Sequence, residues 1–276
     1  MSLGLYLHIP YCFSKCRYCD FYSHPGERGV PEAYVDALLR ELSRFAPEAP
    51  LQPDTLYFGG GTPSLLRPEQ AKRLIDAARP MPGAEITLEA NPETVTEESL
   101  AGFREAGVNR ISFGVQSARD TQLRTLGRPH TAKQARAAFA AAQRAGFANI
   151  SGDIMLALPH YTEAEFDETL ELIEGGGATH ISAYLLKIEP DSAFGKHPPE
   201  ACPPAMKPPI FTFMQWNSWN TTATNSTRSP TLQSPAMRAD TTSSTGTAAT
   251  IWALARRRTP AWAADGSTTR RTPPLS

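Results

Sequence analysis

The sequence has little of what marks membrane-bound, disulfide-rich or nucleic-acid-binding proteins. No apolar stretch approaches the length of a membrane span, and no basic segment followed by an apolar segment stands among the first residues. The 276 residues carry a formal net charge of −1, which does not favour nucleic acid or an acidic surface as a partner. We therefore expect a cytoplasmic protein with no membrane span and no nucleic-acid partner.

Cysteine is scarce, but its distribution is uneven. Only four cysteines are present, and three of them, Cys12, Cys16 and Cys19, fall within eight positions. In a reducing compartment such a group indicates metal binding or redox chemistry rather than disulfides. Structural zinc usually takes four ligands in two separated pairs, whereas this segment supplies three. Three cysteines on a [4Fe–4S] cluster would keep one iron open to another ligand. A structural zinc ion or a purely redox role is the alternative.

Short apolar segments alternate with amphipathic ones through the first two hundred residues. Candidate strands lie at 3–9, 55–60, 85–90, 110–115, 149–156 and 180–186, and candidate helices at 31–45, 68–79, 96–106, 132–145 and 163–175. This alternation predicts an α/β fold with a parallel sheet of βαβ units, either an open doubly wound layer or a curved partial barrel. In both architectures ligands bind at the C-terminal ends of the strands.

Residues 203–276 have a different composition from the residues before them. They contain no glutamate, two of the 28 acidic residues, eight of the 27 basic residues, all four tryptophans and fifteen threonines. The fourth cysteine, Cys202, lies at the border in a proline-rich segment. We predict a folded unit at 1–200 and an aberrant, disordered tail at 201–276, produced by a frameshift close to residue 200. A genuine Ser/Thr/Pro-rich tail is the alternative.

Five motifs resemble those of one protein family. They are YLHIPYCFSKCRYCDFYS, YFGGGTPSLL, LEANPETV, RISFGVQS and LGRPHT. Together they are similar to the radical S-adenosylmethionine (SAM) superfamily, and within it to the oxygen-independent coproporphyrinogen III oxidases and the related HemW-like heme chaperones. The resemblance implies a partial (β/α)6 barrel that holds a [4Fe–4S] cluster and SAM, followed by a C-terminal segment without family resemblance.

The resemblance also implies roles for individual residues. Cys12, Cys16 and Cys19 match the three cluster ligands. The residues that match SAM contacts are Tyr6, Tyr18, Gly60, Gly61, Thr62, Glu89, Gln116, Arg128 and Asp153. Glycine would let the backbone approach the methionyl group, and an arginine can pair with its carboxylate.

Two functions compete within this family. The first is a heme chaperone that binds heme and delivers it to apoproteins, and the second is an oxidase that decarboxylates the propionate side chains of coproporphyrinogen III. The oxidases typically carry a fourth cysteine two positions after the third, where Phe21 stands here, and an extension before the first strand, which here begins at Leu3. Both features favour the chaperone. The implied partners are heme or a porphyrin, a reducing electron donor and a heme-receiving apoprotein.

Two departures from the family pattern are present. The segment LALPHYT places Ala157 and Tyr161 where the motif G-L-P-x-Q-T has glycine and glutamine. The H-N-x-x-Y heme-binding motif of the chaperone-like relatives has no counterpart after residue 200.

Overall fold

A computed structural model describes residues 2–45, 52–200 and 251–256. The elements up to residue 105 are β1 (Ser2–Ile9), β2 (Tyr11–Cys12), β3 (His24–Pro25), α1 (Glu32–Phe45), β4 (Thr55–Gly60), α2 (Pro68–Ala78), β5 (Glu85–Ala90) and α3 (Glu97–Glu105). The elements after residue 105 are β6 (Arg110–Gln116), α4 (Asp120–Leu126), α5 (Ala132–Arg144), β7 (Asn149–Leu156), α6 (Glu163–Gly175), β8 (His180–Leu185), α7 (Ala193–Lys196) and β9 (Ile251–Arg256). Short 3-10 turns lie at Pro63–Leu65 and Pro92–Thr94.

Six parallel strands form the sheet in the order in which they occur in the chain. The order is β1, β4, β5, β6, β7 and β8, and β9 pairs antiparallel with the free edge of β1. The buried side chains of α1, α2, α3, α5 and α6 belong to the same core cluster as the outward side chains of the strands, so these helices cover one face of the sheet. A doubly wound sheet reverses its strand order, and this sheet does not. The predicted α/β class and partial barrel are therefore confirmed.

The two faces of the sheet have opposite character, as the alternation of side chains along a strand requires. On β1 the outward side chains Leu5, Leu7 and Ile9 are fully buried in the main core. Most side chains at the inward positions of the six strands are polar, and they include Tyr6, His8, Tyr57, Glu89, Ser112, Asp153, Ser182 and Tyr184. Closed (β/α)8 barrels fill their interior with branched apolar side chains. The polar inner face here indicates a binding cavity.

Threonine caps set the starts of three helices near the C-terminal ends of the strands. The hydroxyls of Thr96, Thr131 and Thr162 each accept the backbone N–H three residues later, at the start of α3, α5 and α6. Each such cap contributes about 1 kcal/mol. The sequence predicts the helix start at Thr96, whereas the short helix α4 was not predicted. The loops that precede these helices are therefore fixed in place.

The predicted division at residue 200 remains a prediction. Residues 201–250 and 257–276, with Cys202 and the proposed site of the frameshift, lie outside the described residues. Within the described ranges, the helices are too short or too polar to cross a membrane.

Ala157 generates a testable prediction about stability. Its φ is +58°, in the left-handed region that favours glycine, which is the residue of the family motif at this position. We expect Ala157→Gly to raise the free energy of unfolding by about 1 kcal/mol, because glycine removes the steric strain. Urea denaturation measures the change.

The matched control is Ala137→Gly, the same substitution on the exposed side of α5. There we expect a loss of about 1 kcal/mol, because glycine disfavours a helix interior. A decrease in the stability of Ala157→Gly would contradict the strain argument.

Candidate functional site

The three predicted cluster ligands lie on the long loop between β1 and α1. Cys12 is buried at the end of β2, and Cys16 and Cys19 are partly exposed. The Cys19 N–H donates to the Cys16 carbonyl at 3.2 Å, and the Glu27 N–H donates to the Cys12 carbonyl at 3.1 Å. These hydrogen bonds shape the loop so that its thiols sit beyond the C-terminal end of β1.

Arg17 anchors the same loop to the rest of the domain. Its N–H donates to the Leu126 carbonyl at 2.9 Å, at the end of α4, and its carbonyl accepts the Phe194 N–H at 2.8 Å, in α7. The first contact reaches the middle of the described domain, and the second reaches its last helix before residue 200. The cysteine loop is therefore held across the top of the sheet.

A [4Fe–4S] cluster and a single metal ion make different demands on three thiols. Among the residues with described placement, no three His, Cys, Asp or Glu side chains come close enough to bind one metal ion. A [4Fe–4S] cluster does not require three ligands on one ion, because each thiolate binds a different iron. Burial raises the pKa of the Cys19 thiol to about 11, so binding of iron must release this proton.

The glycine motif packs directly against the cysteine loop. The Gly61 N–H donates to the Ile9 carbonyl at 2.8 Å. A Cβ atom on Gly61 would lie 2.6 Å from the Tyr11 carbonyl oxygen and 2.8 Å from Cys12 Sγ. Gly60 has a φ of +116°. Glycine is thus needed at both positions for the fold of the loop, besides the predicted approach of the methionyl group.

Thr62, the next predicted residue, faces the end of β5. Its hydroxyl is buried and accepts a hydrogen bond from Asn91 Nδ2 at 3.2 Å. The motif is therefore tied to the cysteine loop on one side and to β5 on the other.

Two carboxylates with raised pKa values face the inner side of the sheet. Glu89 accepts the Tyr57 hydroxyl at 2.6 Å and the Gly60 N–H at 3.3 Å, and Asp153 accepts the Ser112 hydroxyl at 3.2 Å. Burial raises the pKa of Glu89 to about 7 and the pKa of Asp153 to about 6, although these hydrogen bonds oppose the shift. At neutral pH both groups are suited to bind hydroxyl or ammonium groups.

Arg128 reaches from the α4–α5 connection toward the cysteines. Its Nη1 donates to Asn91 Oδ1 at 3.0 Å and lies 3.7 Å from Cys16 Sγ, and its Nη2 donates to the Gly114 carbonyl at 3.0 Å. Burial alone would lower the pKa of Arg128, but the neighbouring Tyr18 and Cys16 raise it above its ordinary value. Its guanidinium is therefore a fixed positive charge beside the cysteine loop.

Two buried polar atoms around the Arg128 guanidinium have no hydrogen-bond partner among the described residues. They are Arg128 Nε and Gln116 Oε1. Gln116 also has a φ of +66°, which is uncommon for a residue with a side chain. Backbone strain and unpaired polar atoms are typical of positions that bind a ligand. One donor and one acceptor fit the carboxylate and ammonium of an amino-acid group.

The two predicted tyrosines lie on different sides of the site. The Tyr6 hydroxyl is 3.1 Å from His8 Nδ1, and its ring stacks on Tyr57 at 6.0 Å between centroids. Tyr18 packs beside a small apolar cluster that includes Leu126 and Leu158. Burial raises the pKa of both Tyr6 and Tyr18, so both carry neutral hydroxyls.

The structure brings the predicted residues together through named contacts. Gly61 meets Cys12, Arg128 meets Cys16, and Glu89 meets Gly60. Their roles as cofactor contacts stay predictions. Sequence reasoning missed Tyr57 and Ser112, which donate hydrogen bonds to Glu89 and Asp153 on neighbouring strands. The signal for Tyr57 was its position two residues before Gly59, on the same face of β4.

Gly61 generates a prediction about cluster assembly. We expect Gly61→Ala to displace the cysteine loop, because the added methyl group meets backbone oxygens that have no room to move. Iron and sulfide content after anaerobic reconstitution should fall to less than about half of the wild-type value.

The control is Gly175→Ala at the end of α6, where a Cβ atom meets nothing within 4 Å. This variant should assemble the cluster as the wild type does. Full iron loading of Gly61→Ala would show that the contact is unimportant.

Glu89 generates a prediction about pH. Its folded-state pKa of about 7 lies above the ordinary 4.5, so the unfolded chain releases this proton first as pH rises. The stability of the wild type therefore decreases as the pH rises from the unfolded-state pKa to the folded-state pKa of Glu89. Glu89→Gln has no such group and does not lose this stability. We expect the advantage of Glu89→Gln over wild type to grow by about 3 kcal/mol from pH 4.5 to pH 8.

Urea denaturation of the cluster-free protein at both pH values tests this difference. Glu98→Gln, on the exposed side of α3, controls for the change in charge. An advantage that is the same at both pH values would contradict a raised pKa for Glu89.

Comparison with known proteins identifies the family and supports the fold. The family model described as the radical SAM superfamily matches residues 6–173. The heme chaperone HemW of Escherichia coli (strain K12) is 41% identical over 203 residues, which cover 71% of this chain and 54% of the relative. HemW of Haemophilus influenzae is 40% identical over 209 residues, which cover 72% of this chain and 54% of the relative. This chain thus spans about half the length of the curated relatives it matches.

Solved structures give the same result for the fold. Coproporphyrinogen III oxidase (HemN) from Escherichia coli, a radical SAM enzyme, superposes with a TM-score of 0.67 at 27% identity, covering 78% of this chain and 51% of that chain. The radical SAM methyltransferase TsrM from Kitasatospora setae, with cobalamin and a [4Fe–4S] cluster bound, gives a TM-score of 0.52 at 14% identity, a likeness in fold alone, covering 69% of this chain and 38% of that chain.

The structure and the family match therefore agree. The structure has a three-cysteine loop, a glycine turn packed against it and a six-stranded partial barrel, and the family model matches more than half of the chain. Membership of this family implies binding of a [4Fe–4S] cluster and SAM. The chain belongs to the radical SAM superfamily and resembles, within it, the HemW heme chaperones and coproporphyrinogen III oxidase.

Proposed function

We propose that this protein binds a [4Fe–4S] cluster and SAM at the C-terminal end of its barrel and acts on heme as a HemW-like chaperone. The observation that carries the proposal is the convergence of Gly61 on Cys12 and of Arg128 on Cys16. These contacts place the glycine motif and a buried cation beside the cysteine loop. The cytoplasm is the compartment that suits free thiols.

Different residues would bind the cluster and the amino-acid end of SAM. Cys12, Cys16 and Cys19 would hold three irons, and the fourth iron would bind the methionyl amine and carboxylate. Arg128 supplies a fixed positive charge for that carboxylate. When bound, the cluster and SAM supply reductive cleavage of the sulfonium, while the protein orients the two and limits the access of water.

The inner carboxylates would bind the remaining polar groups of SAM. Glu89 and Asp153 have pKa values near neutrality, so each accepts hydrogen bonds from hydroxyl groups when ionised. The ring of Tyr57 stacks on Tyr6, and its hydroxyl holds Glu89 in place. The polar inner face thus presents preorganised acceptors to the ligand.

The chaperone is favoured over the oxidase by residue 21 and by the relatives. Phe21 stands where the oxidases carry a fourth cysteine, and its side chain is 60% exposed at the rim of the cysteine loop. The curated relatives at 40% and 41% identity are named heme chaperones, whereas the solved oxidase is 27% identical. Heme or a porphyrin is therefore the proposed ligand, a reductant the electron donor, and a heme-receiving apoprotein the partner.

An anaerobic experiment tests the SAM site first. The reconstituted chain, treated with dithionite and SAM, should release 5′-deoxyadenosine and methionine, and Cys16→Ser should release at most about a tenth as much. Chromatography of the products measures both. The absence of SAM binding by the fully reconstituted wild type would refute this part of the proposal.

The same preparation separates the two candidate functions. Titration with hemin, followed by visible absorption, should show saturable binding. Incubation with coproporphyrinogen III, SAM and reductant should yield no decarboxylated product. Decarboxylation without hemin binding would favour the oxidase.

A further inference from the structure

A buried carboxylate and a buried imidazole lie next to the Arg128 site and have no part in the roles described above. Glu93 Oε2 is 3.3 Å from His130 Nδ1, and the two side chains are 10% and 0% exposed. His130 Nε2 is 3.1 Å from the Val115 carbonyl oxygen. A carbonyl only accepts hydrogen bonds, so Nε2 carries the hydrogen in this contact and Nδ1 faces the carboxylate.

Such a pair is expensive to bury, and this one is isolated. Apart from their contact with each other, the Glu93 carboxylate oxygens and His130 Nδ1 have no hydrogen-bond partner among the described residues. Buried ionic pairs are often less stabilising than apolar side chains of the same size, and they are best explained where they fix a particular arrangement. Glu93 and His130 are therefore expected to fix the relative positions of the chain segments that they join.

The pair links three segments that each carry a residue of the site. Glu93 lies in the turn Pro92–Thr94, directly after Asn91 and Pro92 at the end of β5. His130 follows Arg128 and Pro129 on the α4–α5 connection, and Val115 directly precedes Gln116 on β6. Through Glu93, His130 and Val115, these segments are held at fixed separations.

The linked residues also contact one another. Arg128 donates to Asn91 Oδ1 and to the Gly114 carbonyl, both at 3.0 Å. Burial opposes the charge of Arg128, and the Glu93 carboxylate is one of the groups that raise the pKa of Arg128 against that effect. The Glu93–His130 pair and the Arg128 contacts thus brace the same three segments from two sides.

We propose that Glu93 and His130 are positioning residues, which hold Arg128 and Gln116 in the geometry that receives the amino-acid end of SAM. The inference rests on the proposed function, because it concerns the affinity of the same site. Neither residue touches the ligand, and both act through the segments that they join. Their loss therefore weakens recognition of the methionyl carboxylate and ammonium and leaves recognition of the adenosine part intact.

The experiment compares two ligands on the reconstituted protein under anaerobic conditions. Equilibrium dialysis measures Kd for SAM and for 5′-methylthioadenosine, which keeps the adenosine and lacks the amino-acid group. His130→Ala and Glu93→Ala should weaken SAM binding about tenfold, the effect of losing one hydrogen bond to a charged group. Binding of methylthioadenosine should change less than about twofold, and the iron content should match the wild type.

Two further variants make the test specific. Glu93→Gln keeps a group of the same shape that donates to a neutral His130 Nδ1, so its SAM affinity should stay within about threefold of wild type. Asn109→Ala removes a side chain that also joins two segments, through Ala84 and Ile86, but at the opposite end of β5 and β6. This control should bind SAM as the wild type does.

Three results would overturn the inference while leaving the SAM site itself in place. They are unchanged SAM affinity in both alanine variants, equal weakening for SAM and methylthioadenosine, and a Glu93→Gln variant as weak as Glu93→Ala. A wild-type protein that assembles its cluster and binds no SAM would instead refute the proposed function, and the inference with it.

Discussion

The rest of the site depends on the contact between the glycine turn after β4 and the cysteine loop after β1. Gly61 donates to the Ile9 carbonyl, and the space where its side chain would stand is occupied by Tyr11 and Cys12. This contact fixes the loop over the C-terminal end of the sheet. Thr62, the next residue, reaches Asn91, and Asn91 accepts from Arg128. A chain of contacts thus leads from one glycine to the three cysteines and to the buried cation.

The inner face of the sheet shows why this domain binds a ligand and does not simply pack on itself. Carboxylates in a low-dielectric cavity are costly, and the raised pKa values of Glu89 and Asp153 express that cost. Hydrogen bonds from Tyr57 and Ser112 repay part of it. An apolar interior would be more stable, but it would offer no acceptors to a polar cofactor. Stability and binding are therefore in conflict at these positions.

Much of the fold could be predicted from the sequence, because the outer side chains of each strand form apolar segments and threonine caps mark several helix starts. The choice between a doubly wound sheet and a partial barrel could not be made from periodicity. It depends on strand order, which is a long-range property. The helix α4 was missed because its seven residues, Asp120–Leu126, are too few to show a period.

The site divides in the same way. The spacing of Cys12, Cys16 and Cys19 is local and could be recognised, as could the glycine motif. The partners of Glu89 and Asp153 could not, because Tyr57 and Ser112 are ordinary residues until the register of the strands makes them neighbours. Glu93 and His130 were missed for the same reason. Gly60 and Gly61 were predicted for the approach of a ligand, and their contacts show that the fold of the loop also requires them.

The strand order has a consequence for how the domain is made. From β5 to β8 each new parallel strand pairs with the strand synthesised just before it. The sheet therefore grows at one edge, in the direction of translation, and each new strand needs only an earlier strand as its partner. Parallel pairing is slow to form because a helix separates the two strands in the chain, and this order allows each pairing to begin while later residues are still being synthesised. The contacts of the cysteine loop with Leu126, Arg128 and Phe194 must wait for these later residues, so the metal-binding segment is fixed only after most strands of the sheet have been made.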